Sequence, residues 1–137
     1  MVGVCHYFNA GKADACVISN GNNNVMIDTG ENTLSKEILS YFDKHNITTL
    51  DYLIITHFDK DHVGSASSVI DNIKVDSVLQ SNVPKDSEFY ENYLKELSEN
   101  NLNIYTCLIC PVCRYNTLKY VSIPAVLCLT QNKLSCV

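Results

Sequence analysis

No stretch of this chain approaches the roughly 20 consecutive apolar residues that a membrane-spanning helix needs. The apolar segment from Val121 to Leu129 is short and broken by Pro124, so no membrane partner is expected. Nor is a leader expected: Met1-Val2-Gly3-Val4-Cys5-His6-Tyr7 has neither a basic start nor an apolar run. Nor is there an excess of positive charge. The net charge is −5, which argues against a basic nucleic-acid patch or an electrostatic hold on an anionic membrane. The cysteines number seven, an odd count that speaks against a secreted disulfide framework, and a cytoplasmic chain is the expectation. Internal repeats are absent. Histidine is scarce, with only His6, His45, His57 and His62, and no histidine or acidic residue follows Glu99. The remainder, 137 residues with 46% hydrophobic and 18% charged, suits a globular chain with a single core.

Local pattern predicts strands first. Val4 to Phe8, Ala15 to Ser19 and Val25 to Ile27 are short apolar runs, separated by Asn9 to Asp14 and by Asn20-Gly21-Asn22-Asn23-Asn24, both with turn chemistry. Three strands joined by tight turns predict an antiparallel sheet of their own, distinct from a βαβ unit. Then the period changes. Leu34, Ile38, Tyr41, Phe42 and His45 recur at three- and four-residue steps, which predicts an amphipathic helix from Thr33 to Asn46. Leu50 to Thr56 follows as a strand buried on both faces. A helix from Gly64 to Ile73 with Ser65 near its N-cap, a strand from Val75 to Gln80, a helix from Ser87 to Asn100 and a strand from Leu102 to Thr106 complete the series. The order βββ-α-β-α-β-α-β is an α/β pattern, with helices covering a mixed sheet.

The chemistry gathers directly after the strand that ends in Tyr52-Leu53-Ile54-Ile55. In Thr56-His57-Phe58-Asp59-Lys60-Asp61-His62, four side chains able to bind metal fall within six residues. Imidazole with carboxylate suits zinc, manganese or iron and is a poor calcium set. On an extended segment His57 and Asp59 point the same way and can share one metal; Asp61 and His62 project differently and suit a second. A two-metal site can hold a hydroxide and polarise a phosphoryl or carbonyl oxygen, which is hydrolytic chemistry. Asp61 is the candidate acceptor for the proton of the attacking water. Gly64 lets the next helix begin close by.

These residues carry a resemblance. His57-Phe58-Asp59-Lys60-Asp61-His62 after Leu53-Ile54-Ile55-Thr56 resembles the metal motif of the metallo-β-lactamase fold superfamily, usually His-x-His-x-Asp-His. Asp59 in the second motif position is similar to the branch containing the soluble domain of the DNA-uptake protein ComEC and its stand-alone relatives. Ala10-Gly11-Lys12-Ala13-Asp14-Ala15 resembles that branch's Val-Gly-Gln-Gly-Asp-Ala turn, with Ala13 where glycine is usual, and Val25-Met26-Ile27-Asp28-Thr29-Gly30 resembles its Leu-Ile-Asp-Thr-Gly. The resemblance implies an αββα sandwich, of which this chain carries the N-terminal half, with the site at one edge of the sheets. It implies a divalent metal, zinc first with manganese or iron as alternatives, and two ions in a full-length relative. By motif position His57 and Asp59 serve the first and Asp61 and His62 the second. Asp28 would lie beneath the loop and orient it; a plain turn carboxylate is the other reading of Asp28, and an Asx-type turn the other reading of Asp14.

The resemblance spans residues 1–106, and the 107–137 segment departs from it. The family's second half supplies another His, a bridging Asp and often a final His, none of which follows Glu99 here. The chain therefore reads as a truncated member. Its expected function is metal-dependent hydrolysis, with a small-molecule or nucleic-acid phosphodiester as the substrate class. The alternative is a catalytically incomplete remnant, or a half-domain that binds a partner or self-associates through an exposed sheet. A third reading is a zinc-stabilised module built on Cys107, Cys110 and Cys113 with Cys128 or Cys136, although the spacing of the second half does not suit a zinc ribbon or knuckle and the residues between are apolar in type rather than turn-forming.

Overall fold

A computed structural model describes residues 3–107. It contains six strands: β1 (Val4–Tyr7), β2 (Ala15–Ser19), β3 (Asn24–Thr29), β4 (Thr49–Ile55), β5 (Lys74–Ser81) and β6 (Asn103–Cys107). Four helices join them: α1 (Ser35–Lys44), α2 (Lys60–Val63), α3 (Ala66–Asn72) and α4 (Glu88–Glu99). The cysteine motifs from Cys110 onward, and the side chain of Cys107, lie outside the described residues.

The strands form one sheet in sequence order. β1, β2 and β3 are antiparallel neighbours, while β3–β4, β4–β5 and β5–β6 are parallel. The opening three strands are thus not a sheet of their own. β3 is the first strand of a βαβ unit, because α1 carries the chain back to lay β4 along its free edge. Apolar patterning announces each strand but not which edge it will pair, and this is where sequence reading stops short. The mixed α/β sheet covered by helices agrees with the N-terminal half of an αββα sandwich.

One face of the sheet builds the core. Val17, Met26, Leu53 and Val78 stand in register across β2 to β5 and are each at most 1% exposed. Against them pack Ile38 and Phe42 from α1, Val69 and Ile70 from α3, and Tyr93 and Leu97 from α4. Side chains of this size each contribute about 1.5–3 kcal/mol when buried. The opposite face is drier than a surface and wetter than a core: Ile18, Ile27, Tyr52, Ile54 and Leu79 are all half-buried. β4 is therefore less fully buried than its sequence suggests: Leu50, Leu53 and Ile55 are enclosed, while Asp51, Tyr52 and Ile54 are half-buried. Among the described residues no helix is long and apolar enough to cross a membrane.

Helix boundaries follow local chemistry. Ser87 caps α4 by accepting a hydrogen bond from the Tyr90 N–H at 3.3 Å. The helix expected from Gly64 begins instead at Ala66, after the single turn α2, and Ser65 does not cap it with its side chain. Its hydroxyl donates to the Glu31 carbonyl at 2.6 Å. Gly64 answers a packing need: a Cβ there would stand 2.6 Å from the Asn32 nitrogen and 2.7 Å from the Glu31 Cα. The remaining histidines sit in an aromatic cluster away from the motif. His6 on edge strand β1 stacks on Tyr41 at 4.1 Å, and His45, at the end of α1, packs on the same ring at 4.2 Å.

Candidate metal centre

The motif loop is fixed from below before any side chain is considered. β4 ends at Ile55, and the next residues alternate outward and inward. Phe58 is the inward one: it is 2% exposed and packs against Tyr90 and Tyr93 of α4, with ring centroids 4.3 and 5.7 Å away. This anchor leaves His57 and Asp59 on the other side of the loop. The turn α2 then closes on the carbonyl of Asp59, which accepts from the N–H groups of His62 and Val63. Two long-range bonds hold α2 in place. Thr29 donates its hydroxyl to the His62 carbonyl at 2.9 Å, and the Asp14 N–H donates to the Asp61 carbonyl at 3.1 Å.

Beneath the loop lies Asp28, fully buried, as the resemblance implies. Its backbone is in the left-handed region at φ +53, a conformation that costs a non-glycine residue about 1–2 kcal/mol. The carboxylate accepts three hydrogen bonds: from the Thr56 N–H at 2.8 Å, the Thr56 hydroxyl at 2.6 Å and His62 Nδ1 at 2.9 Å. Since the Thr56 hydroxyl gives its hydrogen to Asp28, its oxygen is left to accept from His57 Nδ1 at 3.1 Å. Each imidazole therefore carries its proton on Nδ1 and presents a bare Nε2 lone pair. That is the tautomer a metal requires, set here by two neighbouring oxygens.

Both Nε2 edges meet carboxylates. His62 Nε2 is 3.8 Å from an Asp61 oxygen and 3.7 Å from an Asp14 oxygen, and His57 Nε2 is 3.8 Å from an Asp59 oxygen. The rings of His57 and His62 are themselves 3.7 Å apart. These separations exceed a hydrogen bond. They are near the spacing of about 3.4 Å between donors held roughly 2.1 Å from one tetrahedral ion. His57, Asp61 and His62 offer ligand atoms that all lie within 4.8 Å of one another, the one such trio among the described residues. The donor set thus fits a divalent cation of the zinc, manganese or iron type.

Asp59 stands outside that trio. One of its oxygens faces His57, while the other is paired with Lys85 Nζ at 2.7 Å, and this ammonium holds the Asp59 carboxyl below its ordinary range. The two histidines respond differently to the same surroundings. Burial lowers the His57 pKa, and the neighbouring His62 lowers it further. Burial also acts to lower that of His62, but the hydrogen bond and charge of Asp28, with Asp61 and Asp14, outweigh it and the net shift is upward. Sequence reasoning singled out His57, Asp59, Asp61 and His62; the structure brings His57, Asp61 and His62 into one cluster and leaves Asp59 beside it, 3.8 Å from His57 and paired with Lys85. It did not single out Lys85 or Thr56, and left Asp14 open. Only the turn from Ala10 to Ala15, which carries Asp14, held any hint.

A family model described as the metallo-beta-lactamase superfamily matches residues 9–88, from the turn before Asp14 to the start of α4. No curated protein matches the chain.

Proposed function

The chain belongs to the metallo-beta-lactamase superfamily, and from that membership we propose a metal-dependent hydrolase acting on a phosphodiester or a similar ester. The class comes with the family. The observation that carries the reading to this chain is the pair of bare Nε2 lone pairs, both facing carboxylates. In this reading His57, Asp61 and His62 hold the cation, zinc by preference for the nitrogen donors, with Asp59 joining from the His57 side. A divalent cation supplies Lewis acidity toward the ester oxygen and toward water. Asp61, whose side chain is 37% exposed, accepts the proton released by the attacking water. Asp28 and Thr56 keep both rings in the binding tautomer throughout. The phosphodiester preference rests on Asp59 in the second motif position, the feature shared with the ComEC-like branch.

The test is to strip the full chain with a chelator, reload it with zinc or manganese, and measure bound metal and hydrolysis of bis(4-nitrophenyl) phosphate. Bound metal on the order of one ion per chain is expected, with hydrolysis falling about 100-fold or more in Asp61→Ala. A chain that retains no metal after dialysis and hydrolyses nothing on reloading overturns the proposal.

One observation favours a second reading, a half-domain completed by association. Cys16, Ile27, Ile54, Leu79 and Tyr105 stand in register across five strands on the face away from the helices, and most of this row is only partly buried. A second copy stacked on that face would cover it.

A further inference from the structure

Away from the motif, the β1–β2 hairpin places two thiols against each other. Cys5 pairs in register with Ile18, and Cys16 with Tyr7, so the cysteines are diagonal neighbours on the face away from the helices. Their Sγ atoms are 3.3 Å apart, and the register irregularity between Ala15 and Cys16 lies at the same spot. Neither belongs to the motif loop, and neither is used by the hydrolytic reading. The two differ in access. Cys5 is exposed on a strand at the edge of the sheet, whereas Cys16 is 7% exposed beneath it.

We propose that Cys5 and Cys16 form a reversible dithiol–disulfide site, oxidised by low-molecular-weight disulfides, with Cys5 the attacked position and Cys16 the resolving one. A disulfide needs its sulfurs about 2.05 Å apart; these two start 3.3 Å apart, and because the residues are diagonal neighbours, closing the gap draws in the backbone of edge strand β1 as well as the side chains. The exposed Cys5 thiolate attacks one sulfur of the external disulfide; a Cys5–small-molecule S–S bond forms and one small thiolate leaves. The Cys16 thiol then loses its proton to solvent and attacks the Cys5 sulfur. The Cys5–Cys16 bond forms and the second small thiolate leaves. Two protein thiols are oxidised and one external disulfide is reduced to two thiols, so electrons balance without any further reactant. The cross-link would bracket the loop that carries Asp14, whose N–H is tied to the Asp61 carbonyl. The site stands whether or not the chain hydrolyses esters.

The test incubates the folded full chain with oxidised glutathione, then unfolds it in denaturant to trap every remaining thiol by alkylation, and maps the digest by mass spectrometry. The expected product is a Cys5–Cys16 cross-linked peptide that dithiothreitol reverses. In Cys16→Ser the expected product is a persistent glutathione adduct on Cys5, and in Cys5→Ser the thiol of Cys16 stays alkylatable. The unsubstituted chain needs no variant to fold, so the first measurement stands alone. A chain replaced by serine at Cys107, Cys110, Cys113, Cys128 and Cys136 should give the same cross-link. The proposal is overturned if both thiols of the unsubstituted chain remain alkylatable. It is equally overturned if glutathione persists on Cys5 with Cys16 free, or if either cysteine pairs with one of the other five.

Discussion

Replacing Asp28 by asparagine probes the centre at its most buried point, because three hydrogens converge on that carboxylate from Thr56 and His62. An amide of the same size turns one acceptor into a donor that faces other donors. A loss of about 3 kcal/mol in the unfolding free energy of the metal-free chain is expected, read by denaturant titration. Metal affinity should fall about 10–100-fold as the His62 ring loses its tether. Proton titration separates the two imidazoles. In the metal-free chain, NMR should place His57 below and His62 above the ordinary value of 6.5, and Asp28→Asn should bring His62 down. The raised His62 favours folding fully below about 6.5, and that gain disappears as pH rises through its folded value. The lowered His57 does the opposite: its gain is complete above about 6.5 and disappears as pH falls through its folded value. At this scale the motif was legible because His57 to His62 are contiguous. Lys85 and Asp14 reach the same point from other loops, and nothing in the spacing of a one-dimensional chain records that approach.

Gly64 tests the elements. A methyl group there would meet backbone atoms of Asn32 and Glu31 that cannot rotate aside. Gly64→Ala should therefore cost about 1–3 kcal/mol by overpacking, and it should shift α2, and with it Asp61 and His62, relative to β3. Phe58→Ala should cost about 3–5 kcal/mol, because it empties the contact with Tyr90 and Tyr93. Thermal or denaturant unfolding checks both. A control at exposed Lys95, on the outer side of α4, should change little. Periodicity located α1 and α4 to within a residue or two, since each turns one apolar stripe toward the sheet. It missed α2, a single turn whose formation depends on the Asp59 carbonyl and on bonds from Thr29 and Asp14. It also assigned Gly64 to a helix start, because a packing glycine and a helix-entry glycine are the same letter.

Residues 3–107 together form a sheet with one face covered by helices and the other, among the described residues, only partly buried. If a second copy covers that other face, sedimentation should show a concentration-dependent dimer, and a charge placed in the row, as in Ile54→Lys, should shift it to monomer. A monomer at all concentrations would remove the half-domain reading. Amide exchange should be slowest in β4, paired on both sides in the middle of the sheet, and fastest in β1, which pairs with β2 alone. The hydrogen-bond chain from Asp28 through Thr56 to His57 has a consequence for how a cation comes and goes. Both rings are already oriented by protein oxygens, and the core built on Met26, Leu53 and Val78 contains none of the cation-facing side chains. Unlike small domains whose folding awaits a metal, this chain should keep its circular dichroism spectrum through cycles of chelation and reloading. Uptake would then be limited by how quickly the ion sheds water, because the protein has no rearrangement left to make.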